Sequence, residues 1–70
     1  MEAGAIAKRV RAFRKLKGYT QIELSEMMNM SIAILGSIER GTRNPDEKVL
    51  RKIAEVLGIS IEELRGPVHD

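Results

Sequence analysis

The stretch TQIELSEMMNMSIAILGSIERGTRNP, residues 20–45, carries start and stop signals for two short helices in close succession. Thr20 and Glu23 form a capping box, in which each side chain satisfies a free amide at a helix start. Asn29 marks a sharp turn, because asparagine adopts the left-handed backbone conformation more readily than any residue except glycine. Ser31 is a suitable N-cap for the next helix, and Gly41 ends it. The spacing predicts a helix-turn-helix arrangement.

Helical patterns continue on both sides of this stretch. Before Gly18, apolar residues recur at steps of three and four, which places them on one face of a helix. After it, the run Asn44-Pro45-Asp46-Glu47 combines an N-cap, a proline suited to the first turn and acids that face the helix dipole. Gly58 closes that fourth helix, and Ser60 with Glu63 forms a second capping box for a last short helix. We therefore predict an all-α fold of five helices.

Each predicted helix offers an apolar face to one common core. We expect that core to be formed by Ile6, Val10, Phe13 and Leu16 in the first helix, Leu24, Met27 and Met28 in the second, Ile34, Leu35 and Ile38 in the third, Leu50, Ile53, Ala54 and Leu57 in the fourth, and Ile59 and Leu64 around the fifth.

The chain has 70 residues, which is enough for one small domain with a single core. We assign that domain to residues 1–66 and a flexible C-terminal tail to residues 67–70, which have no periodicity. There is no cysteine, the one histidine is His69 in the tail, and no apolar run approaches the length of about 20 residues that spans a membrane. We expect a cytoplasmic protein without a cofactor or a metal, and not an enzyme.

Positive charge is concentrated in the first part of the chain. Residues 1–43 hold eight Lys and Arg against four Asp and Glu, whereas residues 44–70 hold four against six. Residues 8–17 alone contain six cations and no acid. Such a distribution indicates a face for a polyanion such as nucleic acid, although a solvated helix surface would carry similar charges.

The combination of Thr20-Gln21-x-Glu23-Leu24, Ile38-Glu39-Arg40-Gly41 and Asn44-Pro45 resembles the Xre/Cro/C1 family of bacterial and phage repressors. The resemblance covers about residues 5–65. It implies a compact five-helix lambda-repressor-like domain with the helix-turn-helix at its second and third helices. The third helix would then lie in the major groove of double-stranded DNA, and the second would cross the phosphate backbone.

The resemblance also implies residue roles. Arg14 and Glu39 match a salt bridge that holds the third helix to the first. Base readout falls to Ser31, Ile32, Ala33, Gly36 and Ser37, where many relatives carry more polar side chains, so we expect contact with thymine methyl groups and only limited hydrogen bonding. The residues expected to contact the DNA backbone are Arg11, Thr20, Gln21, Arg40, Thr42, Arg43 and Asn44.

The implied function is a sequence-specific regulator of transcription, a repressor that binds a palindromic operator as a dimer. We expect the homodimer interface at Val56, Ile61 and Leu64, and no small-molecule domain. A second interpretation stays open, because Ile22 and Ile32 are apolar residues poorly placed for the core. If they cluster, the domain would bind a protein partner through a degenerate recognition helix, in the manner of an antitoxin.

Overall fold

The structure is a computed structural model that describes residues 2–66. Five α-helices and no strands occur in this range: α1 Glu2–Leu16, α2 Gln21–Met28, α3 Ile32–Arg40, α4 Glu47–Leu57 and α5 Ile61–Arg65. Within the same residues, no helix has the length and apolar character needed to cross a membrane. The predicted all-α, five-helix fold is confirmed, and the predicted tail, residues 67–70, lies outside the described residues.

The helix-turn-helix forms at the predicted caps. Thr20 and Glu23 make both hydrogen bonds of the capping box at the start of α2. Asn29 ends α2 with φ 56° and ψ 44°, and its N–H donates to carbonyls of the last turn. The hydroxyl of Ser31 accepts the N–H of Ile34 at 3.1 Å, so α3 begins where the sequence indicates. The left-handed Asn29 therefore sets the angle at which α3 leaves α2.

The start of α4 differs from the prediction by two residues. We expected Asn44 as the N-cap, but Asp46 holds that position, with an extended backbone and a carboxylate that accepts the N–H of Val49 at 2.9 Å. Pro45 is buried ahead of the helix. Asp46 directly precedes Glu47, the first residue of α4, so its side chain reaches the free amide of Val49. Asn44 stays exposed in the loop.

The core lies between α1, α3 and α4, with α2 packed on α3 and α4 and α5 packed on α1 and α4. Its fully buried side chains come from every helix: Val10, Leu24, Leu35, Ile38, Ile53, Leu57 and Leu64.

Three predicted core residues are exposed. Leu16, the last residue of α1, keeps 75% of its surface in contact with solvent, and Met27 keeps 40%. Ile34 keeps 37%, because Leu35 and Ile38 occupy the inner side of α3 and Ile34 lies about 100° around the helix from Leu35. Helical periodicity therefore identifies the inner face of a helix but not the positions at which its burial ends.

Leu64 was expected at a dimer interface, and that prediction is wrong. Its side chain is completely buried within the chain, so it anchors α5 to the core. Val56 and Ile61 are half-buried and pack against the core with their remaining surface accessible. Arg9 of α1 also donates to the Glu63 carbonyl at 3.2 Å and helps to hold α5 in place.

Candidate nucleic-acid interface

A buried carboxylate joins the first three helices. Glu39, near the end of α3, accepts two hydrogen bonds from Arg14 of α1, Nε to Oε2 at 2.7 Å and Nη2 to Oε1 at 3.0 Å. The side chains of this pair are 10% and 3% exposed. The third nitrogen of Arg14, Nη1, donates to the Tyr19 carbonyl at 2.9 Å. The expected ion pair is therefore present, in the bidentate geometry that a guanidinium and a carboxylate favour.

Gln21 completes this junction from the first turn of α2. Its Nε2 donates to Oε1 of Glu39 at 3.1 Å, and its side chain is half-buried. No buried side-chain nitrogen or oxygen within residues 2–66 is left without a hydrogen bond. Because a buried charge is tolerated only when it is fully paired, this arrangement fixes the orientation of α3 relative to α1 and α2.

An open cleft of about 590 Å³ lies on the outer side of the junction. Three guanidinium groups and one carboxylate line it, and the N-terminal end of α2 opens into it. Free amides at a helix N-terminus and guanidinium groups both favour an anion such as phosphate. The cleft unites four residues predicted to contact the DNA backbone: Arg11, Thr20, Gln21 and Arg40.

Two of these four side chains already have partners within the chain. The hydroxyl of Thr20 accepts the N–H of Glu23 at 3.0 Å, and the amide nitrogen of Gln21 donates to Glu39. Arg11 and Arg40 are exposed. Arg11 and Arg40 are therefore the side chains of the cleft most free to meet a phosphate, and Thr20 and Gln21 chiefly shape the end of α2.

The loop after α3 folds back onto Ser37. The carbonyl of Ser37 accepts the N–H of Thr42 at 3.1 Å, the N–H of Arg43 at 3.2 Å and the hydroxyl of Thr42 at 3.1 Å. The side chain of Arg43 donates from Nε to the hydroxyl of Ser37 at 3.1 Å. Asn44, the third predicted backbone contact of this loop, lies beside Arg43 in a second cleft.

The outer face of α3 is largely apolar in its first turn. Ile32 is 44% exposed, and Ala33 is exposed beside it. Ser31 is exposed but its hydroxyl caps the helix. Ser37 is half-buried and donates its hydroxyl to the Ile34 carbonyl at 2.6 Å. The hydroxyl groups of Ser31 and Ser37, which are predicted to contact DNA bases, therefore already form hydrogen bonds with the backbone of α3.

Gly36 was expected to face outward and is instead buried. The guanidinium of Arg40 lies over it, so close that a Cβ atom at position 36 would stand 3.1 Å from Nη1. The two positions are one turn apart, which is a spacing that brings side chains together on a helix. The absence of a side chain at Gly36 gives Arg40 a place along α3.

The contacts of Arg40 with Gly36 and of Arg43 with Ser37 were not predicted from the sequence. The first had a signal, since a glycine inside a helix four residues before an arginine suggests that something approaches closely. The contact of Arg43 with Ser37 depends on the conformation of the loop after α3, and the residue spacing of the sequence does not indicate it. In the described part of the chain, no group of three or more histidines, cysteines or acids could hold a metal ion.

Comparison with known proteins agrees with this architecture. Residues 10–64 match the helix-turn-helix family HTH_3. The chain is 49% identical over 67 residues to the uncharacterized HTH-type transcriptional regulator YazB of Bacillus subtilis (strain 168), covering 96% of this chain and 97% of YazB. It is 36% identical over 61 residues to the immunity repressor protein of Bacillus phage phi105, covering 87% of this chain but 42% of the repressor.

A solved structure has the same fold. The restriction-modification controller protein C.AhdI from Aeromonas hydrophila superposes with a TM-score of 0.84 at 31% sequence identity. The superposition covers 89% of this chain and 94% of the controller protein.

Proposed function

The chain belongs to the helix-turn-helix family HTH_3 and is a DNA-binding regulator of transcription rather than an enzyme; we propose that it is a repressor that binds a palindromic operator as a homodimer. The observation that carries this proposal is the cationic cleft beside the exposed face of α3. A polyanion held in this cleft would lie directly beside that face, as a DNA duplex requires of a recognition helix.

In this proposal α3 enters the major groove and the cleft holds one of the flanking phosphate backbones. Arg11 and Arg40 supply charge, and the amides at the start of α2 donate to phosphate oxygens. On the other side of α3, Thr42 and Asn44 approach the second backbone. Ile32 and Ala33 contact thymine methyl groups, which are the apolar feature of the major groove.

The dimer is proposed on the accessible edges of Val56 and Ile61, on α4 and α5. A two-fold pair would place two copies of α3 in successive major grooves, about 34 Å apart. An occupied operator then excludes RNA polymerase sterically, in the cytoplasm. The name of the phage relative, an immunity repressor, supports repression as the mode of action.

A protein-binding role is the second candidate. It is favoured by the exposure of two isoleucines, Ile22 at 57% and Ile32 at 44%, because exposed apolar surface is typical of protein interfaces. In that case the exposed isoleucines would meet an apolar partner surface, and DNA binding would be weak and independent of sequence.

Selection from a random pool of DNA duplexes, followed by fluorescence anisotropy at two salt concentrations, separates the two functions. We expect an enriched palindrome. Arg11→Ala should weaken binding to every sequence alike and flatten the salt dependence by about one unit of slope, as the loss of one phosphate contact does. The control is Arg51→Ala, which removes the same charge from α4, where Arg51 pairs with Glu47.

Two results would contradict the proposal. A pool without an enriched sequence, together with binding of about 10⁻⁴ to 10⁻⁶ M that vanishes in salt, would favour the protein-binding role. An enriched site without two-fold symmetry would contradict the homodimer.

A further inference from the structure

We infer that Arg43 reads a guanine in the major groove and that Ser37 is the positioning residue that holds Arg43 in place for this contact. The inference rests on the proposed function and deepens it. It assigns to the loop after α3 a base-reading role that the apolar start of α3 lacks, and it replaces the expected phosphate contact of Arg43.

The first observation is the short connection between Arg43 and α3. The backbone N–H groups of Thr42 and Arg43 both donate to the Ser37 carbonyl, at 3.1 Å and 3.2 Å. The hydroxyl of Thr42 donates to the same oxygen at 3.1 Å. These donors from Thr42 and Arg43 fix the loop to the second turn of α3. Arg43 therefore starts from a defined point beside the helix.

The second observation is the direction of the side chain. Nε of Arg43 donates to the hydroxyl of Ser37 at 3.1 Å, and that hydroxyl donates to the Ile34 carbonyl at 2.6 Å. Ser37 lies one turn after Ala33 on the same face of α3. The hydrogen bond to Ser37 thus holds the Arg43 guanidinium beside the face of α3 that would enter the major groove. A side chain that contacts only the phosphate backbone would instead extend away from α3.

The third observation concerns Nη1 and Nη2, the two guanidinium nitrogens of Arg43 that do not contact Ser37. Nε is bonded to Ser37, and Nη1 and Nη2 make no hydrogen bond to any residue of the range 2–66. Arg43 is exposed, so this edge is accessible. Two parallel N–H donors match the O6 and N7 acceptors of guanine, which lie side by side in the major groove. The predicted site thus combines a guanine with the thymines that Ile32 and Ala33 contact.

The hydrogen bonds of Ser37 and Arg43 indicate a different role for each side chain. The hydroxyl of Ser37 both donates and accepts within the chain. Its contribution is to restrict the rotation of the Arg43 side chain, which has four flexible bonds and would otherwise lose much of its freedom on binding. A guanidinium that is already oriented binds a base with less loss of entropy.

The test uses the operator duplex enriched from the random pool by the wild-type protein, with base analogues at its guanines. Replacing the contacted guanine by 7-deazaguanine removes N7 and keeps base pairing. We expect this change to weaken wild-type binding about ten-fold at one position of each half-site. Hypoxanthine at the same position removes only the minor-groove amino group, so it should leave binding unchanged.

Three variants complete the test. Arg43→Ala should bind the deaza duplex and the normal duplex equally well, and its own pool should lose the preference at that position alone. Ser37→Ala should reduce the preference at the same position by about three-fold while the melting temperature stays within the range of a surface change. Arg11→Ala, which also removes one positive charge, should keep the full preference.

The inference is overturned if Arg43→Ala weakens all sequences equally and its pool enriches the wild-type site, because that is the behaviour of a phosphate contact. It is also overturned if Ser37→Ala alters the preference at a different position, which would make Ser37 itself the reader. Failure of the proposed function looks different, since the wild-type protein would then enrich no site at all.

Discussion

The two halves of α3 have opposite relations to the rest of the molecule. The C-terminal half is fixed by polar groups: Glu39 is buried in a junction with Arg14 and Gln21, and the following loop is bonded to Ser37. The N-terminal half, Ile32 and Ala33, is exposed and apolar. The orientation of α3 and the chemistry of its exposed surface are therefore determined by separate sets of residues a few positions apart.

The largest expected effect concerns the fixed half. Glu39→Ala should lower the free energy of unfolding by about 3 kcal/mol, because it leaves the buried guanidinium of Arg14 without its anion. Urea denaturation followed by circular dichroism measures this loss. The matched control is Arg51→Ala, which breaks an ion pair on the surface of α4 and should change stability by less than about 1 kcal/mol. Equal effects of the two substitutions would show that the junction does not hold α3.

A substitution in the exposed N-terminal half of α3 should change base preference and leave the stability of the domain almost unchanged. Ile32→Gln should change the preferred bases at one or two positions, by about 1–3 kcal/mol of discrimination, because it exchanges an apolar contact with thymine for a side chain that pairs with adenine. Its free energy of unfolding should stay within about 0.5 kcal/mol of the wild type, as for other exposed positions. Parallel selection from the random pool and urea titration give both quantities. A large loss of stability would mean that Ile32 belongs to the fold and not to the reading surface.

Gly36 lies between the two halves of α3, and its substitution by alanine should have a smaller principal effect than the other two substitutions. Gly36→Ala should stabilise α3 by up to about 1 kcal/mol, since alanine is the better helix former. The exposed end of Arg40 must then move, because the new Cβ would lie 3.1 Å from its Nη1. We expect a melting temperature higher by several degrees together with weaker DNA binding.

A double-mutant cycle with Arg40→Ala checks this explanation. In the background that lacks Arg40, Gly36→Ala should keep its gain in stability and lose its effect on DNA affinity. If the effect on affinity persists there, the glycine is required by the DNA itself and not by the arginine.

Much of the fold could be predicted from the sequence because its signals are local. A capping box, a left-handed asparagine and a C-terminal glycine each determine a helix end within a few residues, and these ends were correct for α2 and α3. The sequence favours Asn44 as the N-cap of α4 because a proline such as Pro45 suits the first helical position, and only the path of the chain through buried Pro45 decides in favour of Asp46.

The candidate site was less predictable, because its important contacts join residues from different elements. The ion pair of Arg14 and Glu39 followed from a family resemblance. The burial of Leu64 and the exposure of Leu16 depend on how α5 and α1 pack, and helical periodicity does not report where packing stops. The contact of Arg43 with Ser37 depends on a loop conformation that no periodic pattern encodes.

The junction at Glu39 also bears on how such a protein acquires new targets. All of its hydrogen-bond partners lie outside residues 31–34, so substitutions at the start of α3 leave the buried charge satisfied. If α3 reads the operator as proposed, changes of operator preference can therefore accumulate one residue at a time, without the compensating mutations that a destabilised domain would need. For an engineer, the same separation makes positions 32 and 33 the natural ones to randomise when this scaffold is to be directed to a different DNA sequence.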